Sequence, residues 1–279
     1  MENHLQSGDA QREIARALGV TPGFDAASEL EKRIAFLANY LLRTRKAGYV
    51  LGVSGGVDST VAARIAQLAV ERVRANGNSA TFIAVRLPYG EQRDEHDAAE
   101  AMDFIAPDQR MRVDIKPPVD AQRSALEAAG LAYVDKAAED FSAGNIKARQ
   151  RMVTQYAIAG ALDYLVIGTD QAAEALMGFF TKHGDGAADL VPLQGLTKRR
   201  VRALAALLNA PERLVMKVPT ADLESLQPLR PDEDAFGVPY SVIDGFLEGE
   251  AVSDEHAALL QKQYQATGHK RALPAGPAE

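Results

Sequence analysis

The stretch from Gly48 to Ala66 constrains the fold more than any other. An apolar run, Tyr49-Val50-Leu51-Gly52-Val53, ends in Ser54-Gly55-Gly56-Val57-Asp58-Ser59 and passes into an alanine-rich helical pattern. That order predicts a buried strand, a tight turn and a helix start. Such a junction gathers backbone N–H groups at the positive end of a helix, where an anion can sit. The glycines let a ligand approach the backbone closely. Asp58 is out of place among anion-binding amides unless a metal ion joins it to a phosphate. The loop also lacks the lysine of the G-x-x-x-x-G-K-[ST] phosphate loop. Phosphate binding is therefore expected, without the usual arrangement for cutting a terminal phosphate. An ordinary βα turn is the competing reading, and the Asp-Ser ending after Ser-Gly-Gly disfavours it.

Further apolar runs at 81–87, 111–115 and 164–168 alternate with helical patterns. Nearly all-apolar strands separated by helices predict an α/β fold. Its core is a single doubly wound parallel sheet with helices on both faces and extra N- and C-terminal helices. One N-terminal helix carries Ile14, Ala15 and Leu18 on one face. A second, capped by Asp25, repeats Leu30, Ile34, Leu37 and Leu41 at helical spacing. Further helices are expected over about 94–105, 119–130 and 145–161, after Ala172, and over Thr197 to Asn209. Thr220 to Pro239 is rich in proline and acidic residues and reads as a mobile lid. Two short helices and a polar tail follow. Neither a repeat nor an interdomain linker is visible, so one domain over 1–279, with its α/β core at about 48–210, is expected. Sheets of this kind bind ligands at the carboxyl ends of their strands, which here means 54–59, 86–93, the residues after 115, and 169–174.

With 279 residues the chain is long enough for a well-buried core, and its net charge of −7 disfavours a general nucleic-acid binder. No apolar run reaches the length of a membrane span, and no basic segment with an apolar core opens the chain. A cytoplasmic protein with neither nucleic acid nor membrane as partner is expected. The absence of cysteine removes every thiol nucleophile. Chemistry that other enzymes run through a catalytic cysteine must be run differently or be supplied by a partner.

Asp58 and Glu174 each follow an expected strand end, so both can reach one crevice. Two carboxylates with phosphate oxygens suit Mg²⁺; taken singly, each can equally serve a helix start. Arg86 and Lys198 could neutralise phosphates and Thr169 could bond a nucleotide, although each alone reads as surface charge or a cap. Phe179 to Gly186 sets two aromatics beside Lys182 and Asp185, which suggests a stacking ligand; the alternative is a loop that tucks its aromatics into the core. His269-Lys270-Arg271, alone, reads as a solvated tail.

Taken together, Ser54 to Ser59 resembles the SGGxDS signature of the PP-loop, or N-type, ATP pyrophosphatases. These enzymes split ATP between the α and β phosphates and adenylate a substrate oxygen. Within that group the chain is similar to the ammonia-dependent NAD synthetases, from about residue 10 to 271. The likeness rests on Phe82 to Gly90, Gly144 to Arg149, Gly168 to Ala175, Gly178 to Gly186, Leu196 to Arg199, Pro219 to Leu223, and His269 to Arg271. The resemblance implies that Gly52, Val53, Ser54, Gly55, Gly56, Val57, Asp58, Ser59, Arg86, Gln92, Thr169, Lys198 and Thr220 hold ATP. Asp58 and Glu174 would hold Mg²⁺. Arg149, Lys182, Asp189, His269 and Lys270 would contact nicotinate adenine dinucleotide (deamido-NAD). Ser54 and Asp185 would lie near the ammonia. It further implies a homodimer and a ligase that converts deamido-NAD, ATP and ammonia to NAD, AMP and pyrophosphate, with a lid over about 205–230. Val57 and Gln171 depart from the residues common in the family, and the tail from Pro274 to Glu279 lacks the usual aromatic and acidic ending. A non-catalytic ATP sensor and another PP-loop amidating ligase are the alternatives; paired metal carboxylates speak against the sensor.

Overall fold

A computed structural model describes residues 7–90, 95–221, 223–226 and 228–277. Helices α1 (Ser7–Ala17) and α2 (Ala26–Thr44) precede β1 (Gly48–Gly52), and α3 (Val57–Ala75) leads to β2 (Thr81–Arg86). Then come α4 (Glu95–Ile105), β3 (Gln109–Arg112), α5 (Lys116–Ala128), α6 (Lys136–Leu162) and β4 (Tyr164–Val166). After α7 (Ala172–Met177), α8 (Lys198–Leu207) and α9 (Glu212–Met216), the pair β5 (Thr220–Ala221) and β6 (Arg230–Pro231) precedes α10 (Asp232–Phe236). The described chain closes with α11 (Tyr240–Glu248), α12 (Asp254–Ala266) and α13 (Gly268–Arg271).

β1 to β4 form one parallel sheet in the order β3-β2-β1-β4, with Val50 opposite both Ile83 and Val166. Alternation along the strands sends side chains to opposite faces. Tyr49, Leu51, Phe82 and Ala84 pack in one core with Leu37 and Leu41 of α2, Val61 and Ile65 of α3, and Leu204 of α8. Val50, Ile83, Val85 and Val166 pack on the other side with Ile115, Val119 and Ala159. A third core joins the two ends of the chain: Ile14 and Leu18 of α1 meet Leu176, Ile243, Phe246 and Leu260. Asp25 caps α2 as expected, accepting from the Ser28 amide at 2.8 Å.

The structure differs from the sequence reading in four places. The third strand is Gln109–Arg112 rather than 111–115, and all four residues are exposed at the sheet edge. The Val113 and Ile115 amides still donate to Arg86 and Pro88, but Pro88 has no N–H to return a ladder bond. Ile115 instead buries itself at the start of α5, whose first turn accommodates Pro117 and Pro118. Helix α6 begins at Lys136, capped by Asp135, rather than at 145, and runs straight through Gly144. The segment read as a lid holds elements that the sequence reading did not name, with Thr220 opposite Pro231 and Ala221 opposite Arg230 in an antiparallel pair followed by α10. Finally, three helices rather than two close the described chain.

Candidate active site

β1 lies between β2 and β4, so strand order reverses there and the segments leaving β1 and β4 diverge. A cavity of about 440 Å³ opens at that point, lined among others by Ser54, Asp58, Glu174, Lys198 and Thr220. The loop after β1 is fixed by its own hydroxyls. Ser59 and Thr60 donate to the Gly56 carbonyl at 3.1 and 2.8 Å, and the Gly56 amide donates to Ser54 Oγ at 3.2 Å. Gly55 has φ +84°, and a Cβ there would stand 2.9 Å from the Ala98 amide nitrogen of α4. Only glycine lets α4 close on the loop in this way. Gly56 caps α3 without a side-chain acceptor, so no capping oxygen takes the first-turn amides, which suit an anion.

Charge concentrates around Lys198. The residue is 2% exposed, and its Nζ lies 2.5 Å from Asp58 Oδ2, 3.9 Å from Glu174 Oε1 and 5.0 Å from the Tyr240 ring centre. The start of α8 holds it there. Asp244 accepts from the Lys198 and Arg199 amides at 3.0 and 2.8 Å, and Thr197 accepts from the Arg200 amide at 3.3 Å. Tyr240 donates to Asp232 Oδ2 at 3.0 Å, while Asp58 Oδ1 and Asp232 Oδ1 are buried without a hydrogen-bond partner.

Burial, then the charge of Asp58, pushes the Glu174 carboxyl well above the usual range, against the pull of Lys198. Burial also raises Asp232. Asp170 is pushed up to about 7 by burial, then by Asp185 and Asp58. Burial disfavours the Lys198 ammonium, but Asp58 and Glu174 outweigh it and the group stays charged. The site thus holds more carboxyl groups than one ammonium can balance, which favours a further cation. Among the described residues no group of three or more His, Cys, Asp or Glu side chains is arranged to hold a metal alone. Mg²⁺ needs no such cage, because one or two carboxylates plus substrate phosphates suffice. The buried, unpartnered Asp58 Oδ1 and the nearby Glu174 therefore fit that ion.

Of the residues singled out in the sequence, Gly52, Val53, Ser54, Gly56, Val57, Asp58, Ser59, Thr169, Glu174, Asp185, Lys198, Thr220 and Lys270 line this one cavity. Phe179 and Phe180 both line it as well, with different neighbours. Phe179 packs edge-on against Phe236 at 4.7 Å, and the Phe180 ring, on the cavity wall, takes the Lys270 ammonium at 5.5 Å. Lys270 also donates to the Gly178 and Phe180 carbonyls at 2.8 and 2.9 Å, so His269-Lys270-Arg271 is docked helix rather than loose tail. Asp185 accepts from the Thr181 amide at 2.8 Å, and burial raises its carboxyl.

Other residues stand apart from the cavity. Arg86 is buried in a bidentate pair with Glu95, beside Arg110 and Arg112 in a separate hollow. Asp189 accepts from the Val166 amide at 2.7 Å and so anchors the end of β4. Arg149 donates to the Lys182 carbonyl at 3.3 Å, and Lys182 Nζ donates to the His269 carbonyl at 2.7 Å. Gln92 lies outside the described residues.

Several site residues carry no sequence signal of their own. Gln155, in the second half of α6, accepts from the Gly52 amide at 2.7 Å and fixes the end of β1. Asp232 and Tyr240 lie in and just past the acidic stretch read as a lid. Asp244 looks like any helical carboxylate until α8 is seen to end on it.

The chain as a whole has counterparts among known proteins. A family model described as NAD synthase matches residues 29–274. An NH(3)-dependent NAD(+) synthetase of Burkholderia mallei is 58% identical over 264 residues, 95% of this chain and 93% of that protein. The crystal structure of NAD+ synthetase from Burkholderia pseudomallei superposes with a TM-score of 0.85 at 55% identity, covering 96% of this chain and 98% of that one. An NMN synthetase from Francisella tularensis superposes at 0.79 and 32% identity, covering 91% and 99%. With a matching model across most of its length and relatives at this identity, the chain belongs to the NAD synthase family.

Proposed function

We infer that this chain makes NAD by ATP-dependent amidation of deamido-NAD with ammonia, releasing AMP and pyrophosphate. The observation that carries the reading is the meeting of Asp58, Glu174 and Lys198 at the Ser-Gly-Gly loop, in a chain of this family. The nicotinate carboxylate attacks the α-phosphorus of ATP and displaces pyrophosphate, giving an acyl-adenylate. Ammonia then attacks the activated carbonyl and AMP leaves.

The protein's part is positioning and charge neutralisation. The uncapped first-turn amides of α3, in the loop from Gly52 to Ser59, and the Lys198 ammonium receive the phosphates; Thr169 and Thr220 fix the nucleotide. Asp58 and Glu174 would hold Mg²⁺, which when bound neutralises charge on the phosphate oxygens. Arg86, bidentate with Glu95 in a separate hollow, would have to leave that partner to reach ATP; Gln92 is the further ATP contact that the resemblance implies. Arg149, Lys182, Asp189, His269 and Lys270 serve deamido-NAD. Asp185, whose buried carboxyl has a raised affinity for protons, accepts a proton from ammonium near Ser54.

We assign the chain one domain, a homodimeric state and a cytoplasmic place. The homodimer is what the family resemblance implies, and no described helix is long and apolar enough to cross a membrane.

The deciding assay gives purified protein Mg²⁺, ATP and ammonium with either deamido-NAD or the nicotinate mononucleotide. NAD and pyrophosphate formed in step with deamido-NAD support the reading. Pyrophosphate independent of any dinucleotide refutes it. Preference for the mononucleotide would move the chain toward the activity named for its Francisella relative.

A further inference from the structure

One face of α6 carries groups that the reaction above leaves without a task. Asp140, Gly144 and Lys147 follow one another at i, i+4 and i+7, hence on one stripe of the helix. The Asp140 carboxylate accepts from two successive backbone amides, Ser225 at 2.8 Å and Leu226 at 2.7 Å. The Lys147 ammonium, 5% exposed, donates to the Leu223 carbonyl at 2.8 Å and to Ser225 Oγ at 3.0 Å. Between them, a Cβ on Gly144 would stand 3.2 Å from Leu223 Cβ and 3.3 Å from its carbonyl oxygen. All three residues therefore meet the same four-residue strap, and Leu223 and Glu224 of that strap line the active-site cavity.

We propose that Asp140, Gly144 and Lys147 are positioning residues, a docking stripe that seats the strap Leu223–Leu226 over the cavity and so decides whether the acyl-adenylate meets ammonia or water. The proposal rests on the amidation reading above. With the strap seated, ammonia displaces AMP and the C–N bond forms. With the strap unseated, water attacks the same carbonyl carbon, the C–O bond to AMP breaks, and deamido-NAD is regenerated. ATP is then spent to AMP and pyrophosphate without NAD. The donor set explains why polar groups are used here. A carboxylate and an ammonium grip the strap mainly by its main chain, with Ser225 Oγ the one side-chain acceptor named above, and the exposed bonds at Asp140 can reopen for product release.

The test measures AMP and NAD together in the full-length protein, for wild type, Asp140→Ala, Asp140→Asn and Gly144→Ala. Wild type is expected to release one AMP per NAD. Asp140→Ala loses both amide acceptors, and its AMP-to-NAD ratio should rise at least about twofold as water gains access. Asp140→Asn keeps one acceptor and should fall between. Gly144→Ala removes a weak helix former, so its thermal midpoint should hold or rise while its ratio also rises. That pairing separates seating from stability, and it decides the matter even if Asp140→Ala fails to fold. Ratios equal to wild type in every folded variant overturn the proposal. A wild-type protein that makes neither AMP nor NAD overturns the functional reading instead.

Discussion

Asp58→Asn separates the structural from the chemical demands on the Ser-Gly-Gly loop. The substitution keeps the shape of the side chain and removes its charge. Lys198 loses a partner at 2.5 Å and keeps Glu174 at 3.9 Å. At an effective dielectric of about 20, those distances correspond to roughly 6.6 and 4.3 kcal/mol of attraction. The Asp58 charge is also a main reason, after burial, that Glu174 holds its proton so tightly. Without that charge Glu174 ionises more readily and takes over Lys198. The net loss should therefore be about 2 kcal/mol, less than the ~3–5 kcal/mol of a buried pair broken outright. That is a drop of roughly 4–8 °C in thermal midpoint, with the fold intact. Activity should suffer far more, because a carboxylate that would hold Mg²⁺ beside the reacting phosphates is gone. Pyrophosphate release should fall about 10²–10³-fold, the range seen when a single preorganised electrostatic group is removed. The measurement is a stopped-time pyrophosphate assay beside a thermal melt of the same sample. Release within about tenfold of wild type would remove Asp58 from the phosphate and metal site. A collapse in stability with no folded protein would show that Glu174 cannot take over.

Three further outcomes follow from other residues. Glutamine should not replace ammonium as nitrogen donor, because the chain has no cysteine for a thiol glutaminase; efficient NAD formation from glutamine by the pure protein would contradict this. Asp244→Ala uncaps α8 at the Lys198 and Arg199 amides, and should lower stability by about 1–3 kcal/mol. It should also slow pyrophosphate release by displacing Lys198; a urea melt and the same assay measure both, and an unchanged rate would separate α8 placement from catalysis. Asp170 keeps its proton up to about pH 7 in the folded chain, whereas an unfolded aspartate releases it near pH 4. Folding therefore binds a proton between those limits, and this group's contribution to stability falls as pH rises, by about 1.4 kcal/mol per unit. In Asp170→Asn that contribution is absent, so the difference between variant and wild-type urea midpoints should change across pH 4 to 7; parallel profiles would refute the assignment.

The stretch from Gly48 to Ala66 determined a great deal by itself. Its apolar run, glycines and helix pattern are local features, so they fixed a strand, a turn and a helix whatever the rest of the chain did. The same holds for the strands at 81–86 and 164–166 and for the Asp25 cap, whose signals lie within one turn of what they control. Distance hid the rest. The edge strand was misplaced because Met111, Val113 and Ile115 alternate like a strand, while Pro88, on a different segment, limits the ladder. The helix expected over about 145–161 begins at Lys136 and includes Gly144, whose reason for being glycine, the close approach of Leu223, lies far along the chain. Asp58 and Glu174 were recognisable as a pair from their positions after strand ends. That Lys198 stands between them, held by Asp244 from α11 and facing Tyr240 and Asp232, was not. Burial and the mutual charge of residues distant in sequence set those relations, and both come into being only when the sheet and its three cores assemble. A local pattern can specify where the backbone turns. Which carboxyl groups share one ammonium is decided by packing alone.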